Sequence, residues 1–257
     1  SIPELRGFGV PCGPSDENRT WRESTELDRS HRVAAADVVI AGGGVIGCLT
    51  AYYLSKAGVQ VTLIEADGLA SGASGTSGGW LTPYSNTSDP AMLALSPATL
   101  RLHRELAKEL PEETAIDHGF DEFIYLRCAF TEGGADDLRA WRAQRASEGV
   151  EMPWLEPDEA KAITPWLTGD IVGAVRSDNE PTLDSYRLTM SAMRAAENHG
   201  ARVVAGQVTG LIEDSSSSDR RAMGVRLENG TEVSAADVLI AMGPWTGQAS
   251  DWLGVDL

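Results

Sequence analysis

Residues 36–65 read ADVVIAGGGVIGCLTAYYLSKAGVQVTLIE, and the changes of rhythm inside them decide the fold. Ala36-Asp37-Val38-Val39-Ile40-Ala41 is a β-branched run ending in Gly42-Gly43-Gly44, the pattern of a buried parallel strand that feeds a tight turn. From Val45 to Ala57 the apolar residues fall at helical spacing, and Gly58 supplies the residue that stops a helix. Val59–Ile64 returns to a strand, closed by Glu65. Strand, helix and strand in about 30 residues predict one right-handed βαβ unit.

The turn inside this unit carries chemistry. Gly42-Gly43-Gly44-Val45-Ile46-Gly47 satisfies G-x-G-x-x-G at a strand-to-helix junction, where each glycine has a steric task. Gly42 permits the tight turn, Gly44 lets backbone approach a diphosphate, and Gly47 lets helix and strand pack closely. An anion there is held by backbone N–H groups and the positive end of the helix, so no lysine is required. Glu65 stands about 20 residues after Gly44 at the end of the second strand, where a carboxylate accepts hydrogen bonds from ribose hydroxyls and repels a 2′-phosphate. The pattern predicts a dinucleotide site for FAD or NAD and argues against NADP.

Working outward, residues 70–83 (ASGASGTSGGWLTP) form a Gly- and Ser-rich loop of the kind that wraps a ligand with backbone N–H groups. Helices are predicted over Pro90–Leu110, Asp136–Ser147, Glu156–Ile163 and Asp184–Asn198, and a strand over Glu122–Phe130. Strands are predicted at Ala201–Ala205, Val208–Ile212 and Ala222–Glu228, with Asn229-Gly230 as a hairpin turn. Thr231–Val233 should return as the hairpin partner, and Ala236–Met242 as a separate buried strand beside the first. The serine run Ser215–Ser218 reads as a loop without chemistry.

Composition narrows the classes. The 257 residues carry a formal net charge of −17, which excludes the clustered Lys and Arg that nucleic-acid binding needs and disfavours an anionic membrane surface. No apolar run approaches the ~18 residues of a membrane span. Cys12, Cys48 and Cys128 lie far apart without C-x-x-C spacing, so neither a disulfide scaffold nor a zinc site is indicated, and a reducing compartment, cytoplasm or organelle matrix, fits. His31, His103, His118 and His199 show no ligand spacing, and no metal is expected. Cys48 reads as a small core residue. The chain opens on Ser1 rather than Met, consistent with processing or truncation.

The order of GGGVIG, Glu65, the loop ASGASGTSGGWL and the late strand VLIAMGPWTG resembles FAD-dependent amine and amino-acid oxidoreductases of the D-amino-acid oxidase superfamily, the group of glycine oxidase and sarcosine oxidase. The segment Thr182–Leu211 is similar to a family stretch in which a helix precedes a strand whose backbone meets adenine. The resemblance covers residues 36–250. It implies an α/β fold: a Rossmann-like FAD-binding domain with a parallel sheet, formed discontinuously by residues 36–88 and 184–257, plus a partial α+β substrate domain of residues 89–183. Residues 1–35, polar and rich in turn formers, read as a surface arm or a remnant of a targeting segment.

Carried over residue by residue, the resemblance places Gly42, Gly44, Val45 and Ile46 on the diphosphate and Glu65 on the adenosine ribose. Ser71, Ser74, Gly75, Thr76 and Ser77 would bond phosphate and ribityl oxygens, with Gly79, Trp80 and Leu81 beside the isoalloxazine. Val208 would meet adenine through its backbone, and Met242, Gly243 and Trp245 match the late strand-end motif. FAD would be held noncovalently, because no His or Cys stands at an evident attachment site. The implied reaction oxidises the C–N bond of a small amino acid or secondary amine by hydride transfer to flavin N5. Catalytic side chains are not assigned by the sequence. Arg127 and Arg176 are the available carboxylate clamps, although a structural or surface role is the plainer reading of each. An NAD-dependent dehydrogenase is disfavoured because the Gly/Ser loop suits an extended flavin. Family members usually continue well past the point matching Leu257, so the expectations include a fragment, a shortened homologue that needs a partner chain for the missing substrate half, and a noncatalytic FAD-binding subunit.

Overall fold

The computed structural model describes residues 35–83, 89–178, 180–214 and 221–256. The expected N-terminal arm, apart from Ala35, and the Ser215–Ser218 loop lie outside them. The chain divides into two compact units, Ser1–Ser77 with Ser185–Leu257, and Gly78–Asp184.

The first unit is built on a six-stranded sheet. Strand β1 (Ala36–Ala41) pairs in parallel with β2 (Val61–Glu65) on one side and with β9 (Glu232–Ile240) on the other, so that Val39 lies opposite both Thr62 and Val238. β6 (Arg202–Ala205) extends the parallel set beyond β2, while β7 (Val208–Glu213) and β8 (Ala222–Leu227) form an antiparallel ladder with the start of β9. The continuous apolar runs of β1 and β2 follow from burial on both faces. Val39, Ala41 and Ile64 join Val204, Val225, Leu227 and Val233 in one core cluster. Ile40 points the other way, toward the helix α1 (Val45–Lys56), where its side chain lies under Gly47.

Helix α1 packs on the long helix that precedes β6, Ser185–Asn198. Both helices bury mostly small residues, among them Cys48, Ala51 and Ser55 in α1 and Ser191, Ala192, Ala195 and Ala196 in the other, and small side chains let two helices approach closely. Burial pushes the Cys48 thiol far above its ordinary pKa, and its Sγ donates to the Gly43 carbonyl, which leaves it an inert core group as read from the sequence.

Two local readings change. The segments Thr231–Val233 and Ala236–Met242 are one strand, β9, whose first half pairs antiparallel with β8 and whose second half pairs parallel with β1. The small residues Ser234-Ala235-Ala236 broke the apolar pattern in sequence, but neighbours on both sides carry the ladder through them. The Gly/Ser loop also holds a single helical turn, Ala73–Thr76.

The second unit has a three-stranded antiparallel sheet, β3 (Tyr125–Ala129), β5 (Gly173–Ser177) and β4 (Trp154–Leu155), in the order β3-β5-β4. Its helices include Pro90–Thr114 and Glu132–Ser147, the latter capped by Thr131 accepting from the Gly134 amide. β4 and β5 were not legible beforehand. They are short, and Gly173 is required because the Trp154 indole lies where its side chain would go.

His118 is fully buried in this unit, and both of its ring nitrogens lack a hydrogen-bond partner among the described residues. Burial lowers the pKa of both His103 and His118 from 6.5; the His118 ring adds to the shift at His103, while Asp117 and Asp184 partly oppose the shift at His118. A folded pKa below the unfolded one means that the unfolded chain takes up protons first as pH falls. The stability tied to these groups is therefore complete above pH 6.5 and is lost as pH drops below it. Thermal melts between roughly pH 7.5 and 5.5 should show a falling midpoint for the wild type and a shallower fall for His118→Leu. Parallel curves for the two proteins would remove His118 from the account.

Candidate functional site

The glycine turn of the first unit is fixed by steric demand. Gly42 sits at φ +114°, a conformation open to glycine, and any side chain there would run into the Ala241 carbonyl at the end of β9. A side chain on Gly47 would strike the Gly42 carbonyl. The turn can therefore adopt this path only with glycine at both ends.

Its hydrogen bonding is uneven. The Gly43 amide donates to Glu65 Oε2 at 2.7 Å, and the Val45 amide donates to Ser74 Oγ at 2.9 Å. The Gly44 carbonyl receives Cys48 N–H, as the first bond of the helix requires. The amides of Gly44, Ile46 and Gly47 find no acceptor among the described residues, and the helix has no side-chain cap of its own at Gly44. Unpaired amides at the positive end of a helix are an anion-binding arrangement.

Glu65 is pinned more firmly than a ligand-binding side chain alone would need. Besides Gly43, its carboxylate accepts from the Asp67 amide at 2.7 Å and the Gly68 amide at 3.2 Å, both through Oε1. It thus ties the end of β2 to the glycine turn. Three of about four acceptor positions are used, leaving one for a further donor. Ser74, for its part, is held from behind by Ser185 Oγ, which donates to its carbonyl.

Above this turn opens a cleft of about 1260 Å³, bounded entirely by first-unit residues. Gly42, Gly44, Val45, Ile46, Glu65, Ser71, Ser74, Val208, Met242, Gly243 and Trp245, all expected from the sequence, line it. The other expected residues lie elsewhere. Gly47 is buried beneath the turn, Gly75 packs on the Ala70 carbonyl, and Thr76 and Ser77 end the short helix. Gly79, Trp80 and Leu81 belong to the second unit: Gly79 accepts from the Leu183 amide, the Leu81 amide donates to Pro181, and Trp80 meets Tyr125 edge-on at 5.2 Å.

Sequence reading missed Gly72, Gly206, Gln207, Asn229 and Gln248 on the cleft wall. Gly206 had a signal, since it follows a parallel strand, and its amide bonds the Glu65 carbonyl at 2.8 Å. Asn229 was read only as a hairpin turn. Gln248 lies in the 3-10 helix Gly243–Ala249 that follows β9 and gave no signal.

Among the described residues the charged side chains lining the cleft are Glu65, Asp67 and Glu228, with no Lys or Arg and no His or Cys. Any anion bound here is met by backbone dipoles rather than by side-chain cations. Arg127 and Arg176 are engaged elsewhere. Arg127 pairs with buried Glu180 at 3.4 Å and lies over the Tyr125 and Trp141 rings, and Arg176 pairs with Asp178 at 2.8 Å. Among the described residues no group of three or more His, Cys, Asp or Glu is placed to hold a metal, and no helix is long and apolar enough to cross a membrane.

A glycine-turn βαβ unit over such a cleft defines a dinucleotide-binding flavoprotein-type domain. Residues 37–257 match the family described as FAD dependent oxidoreductase (DAO), and the chain belongs to that family. It is 30% identical over 224 residues to glycine oxidase of Geobacillus kaustophilus, covering 86% of this chain and 58% of that protein. It is 28% identical over 226 residues to human mitochondrial sarcosine dehydrogenase, covering 86% of this chain and 24% of that one. The solved structure of the Geobacillus kaustophilus glycine oxidase superposes with a TM-score of 0.80 at 30% identity, over 88% of this chain and 60% of that one. The chain therefore spans less than two thirds of these relatives.

Glu65→Gln would place an amide NH₂ against backbone donors and lose one acceptor oxygen. It should lower the stability of the ligand-free chain by about 1–3 kcal/mol, read from urea unfolding. Unchanged stability would mean that Glu65 does not tie the turn to β2.

Proposed function

We propose that the cleft holds FAD noncovalently and that the protein works in the oxidation of a C–N bond of a small amino acid or secondary amine. The observation that carries this reading is the pair of cleft-lining amides at Gly44 and Ile46, unpaired among the described residues, on a turn that needs glycine at both ends. They suit the diphosphate of a dinucleotide. Bound FAD would supply the hydride-accepting chemistry at flavin N5.

The residues present fit that group. The bare Cα of Gly44 leaves room for phosphate oxygens, its nearest neighbour being Ser74 Oγ at 3.2 Å from where a side chain would begin. The remaining acceptor position on Glu65 suits a ribose hydroxyl, and three carboxylates on the wall oppose a 2′-phosphate. Val208 stands on the wall where its backbone can meet adenine, and Ser71 and Met242–Trp245 line the remainder. Gly75, Thr76 and Ser77 support the loop in this reading rather than touch the cofactor.

A second reading is favoured by the absence of any cationic residue on the cleft wall. The clamp for a substrate carboxylate then comes from outside this cleft, through further residues of the protein or a partner chain. Free Cys48 and Cys128, together with a mitochondrial relative, support a reducing compartment such as an organelle matrix or the cytoplasm.

Protein purified with its nucleotide should release FAD, not NAD, on denaturation. Gly44→Asp should abolish retention while leaving the helix content intact, because it sets a carboxylate where the diphosphate would lie. Bleaching of the bound flavin by glycine or sarcosine under anaerobic conditions tests the reaction. Bleaching only after addition of a second polypeptide favours the partner-dependent reading. Undiminished FAD retention in Gly44→Asp would move the site elsewhere.

A further inference from the structure

The indole of Trp245 lies on Gly72. A side-chain carbon added at Gly72 would begin 3.1 Å from Trp245 Cζ3 and 3.4 Å from Cη2, tighter than ordinary van der Waals contact. Trp245 reaches this position from the 3-10 helix Gly243–Ala249, with its amide donating to the Met242 carbonyl. Even so, 54% of the residue is exposed, an unusual state for a tryptophan whose backbone is so anchored, and it lines the cleft.

Two residues past Gly72, Ser74 accepts the Val45 amide through Oγ and takes Ser185 Oγ on its carbonyl. The segment Gly72–Ser74 is thus held at both ends, by hydrogen bonds to the helix pair at Ser74 and by an aromatic ring from the end of β9 at Gly72. Ser74 occupies one of the first-turn amides, so its position decides how much of the helix end is left for an anion. Nothing else given by the sequence requires glycine at position 72, where the backbone is not in the left-handed region.

We propose that Trp245 is a positioning residue: its indole clamps Gly72 so that Ser74 stays on the first turn of α1 and the diphosphate seat is formed before the ligand arrives. The proposal rests on the FAD reading for its functional consequence, whereas the clamp itself belongs to the ligand-free chain. Pre-forming the loop removes an ordering cost from binding, which is how a residue that need not touch the diphosphate sets affinity for it.

The test uses the 257-residue chain and two readouts. In the absence of FAD, hydrogen exchange of the Ser71–Thr76 amides should speed up in Trp245→Ala and stay near wild type in Trp245→Phe, with the β1 amides Val39–Ala41 unchanged in both as the measure of folding. FAD titration, followed by flavin fluorescence, should weaken about tenfold in Trp245→Ala and less than about threefold in Trp245→Phe. Gly72→Ala, which pushes the ring away, should weaken binding comparably. The Gly72→Ala/Trp245→Ala double variant should be no worse than Trp245→Ala alone, because one clash and one clamp share a partner. Unchanged loop exchange in a folded Trp245→Ala, or fully additive effects in the double variant, would overturn the clamp. A wild-type chain with a protected loop that takes up no FAD would instead overturn the cofactor reading and leave the clamp standing.

Discussion

Backbone amides without partners at the start of one helix set the terms for the rest of the first unit. An unpaired N–H is costly when it is withdrawn from water, so a chain that leaves three of them at a helix start either solvates them or supplies an anion. Two of them, at Gly44 and Ile46, stand on the wall of a large cleft, on a turn whose Gly42 and Gly47 are dictated by neighbouring carbonyls. Glu65 and Ser74 each take one adjacent amide. They hold the turn in shape while leaving its centre open.

That division of labour explains how so acidic a chain can be a nucleotide-binding protein. With carboxylates at Glu65, Asp67 and Glu228 and no cation on the wall, attraction cannot come from net charge. In the proposed site it comes from oriented dipoles at short range, which depend little on the sign of the distant surface. Membership of the FAD-dependent oxidoreductase family agrees with this physical picture.

The parts of the fold written in short-range pattern were legible in the sequence. The run from Ala36 to Glu65 has a strand period, a helix period and glycine punctuation in sequence, and the structure follows it within a residue or two. What depended on partners far along the chain was not legible. β9 looked like two strands because Ser234-Ala235-Ala236 carries no apolar alternation of its own, and β5 is recognisable only once Trp154 covers Gly173. The cleft shows the same split: Gly42, Gly44 and Glu65 announce themselves through spacing, whereas Gly72 and Gln248 acquire meaning through a ring and a helix end brought from elsewhere. The Gly79–Leu81 stretch ran on from a recognisable loop, yet its backbone bonds go to Pro181 and Leu183 in the second unit.

The insertion of the second unit between Ser77 and Ser185 has a consequence for how the molecule is made. Val38 must wait for Asp237, its partner across the sheet, and at ribosomal speeds of about 5–20 residues per second the interval is roughly 10–40 s. During that time the hydrophobic strand Ala36–Ala41 has an open edge toward the place β9 will fill. Long-range parallel pairing of this kind is slow to nucleate, and an unpaired strand edge is a template for wrong pairing until its partner arrives. The same topology that brings the glycine turn and the β9 terminus together leaves the centre of the sheet to be completed late in synthesis.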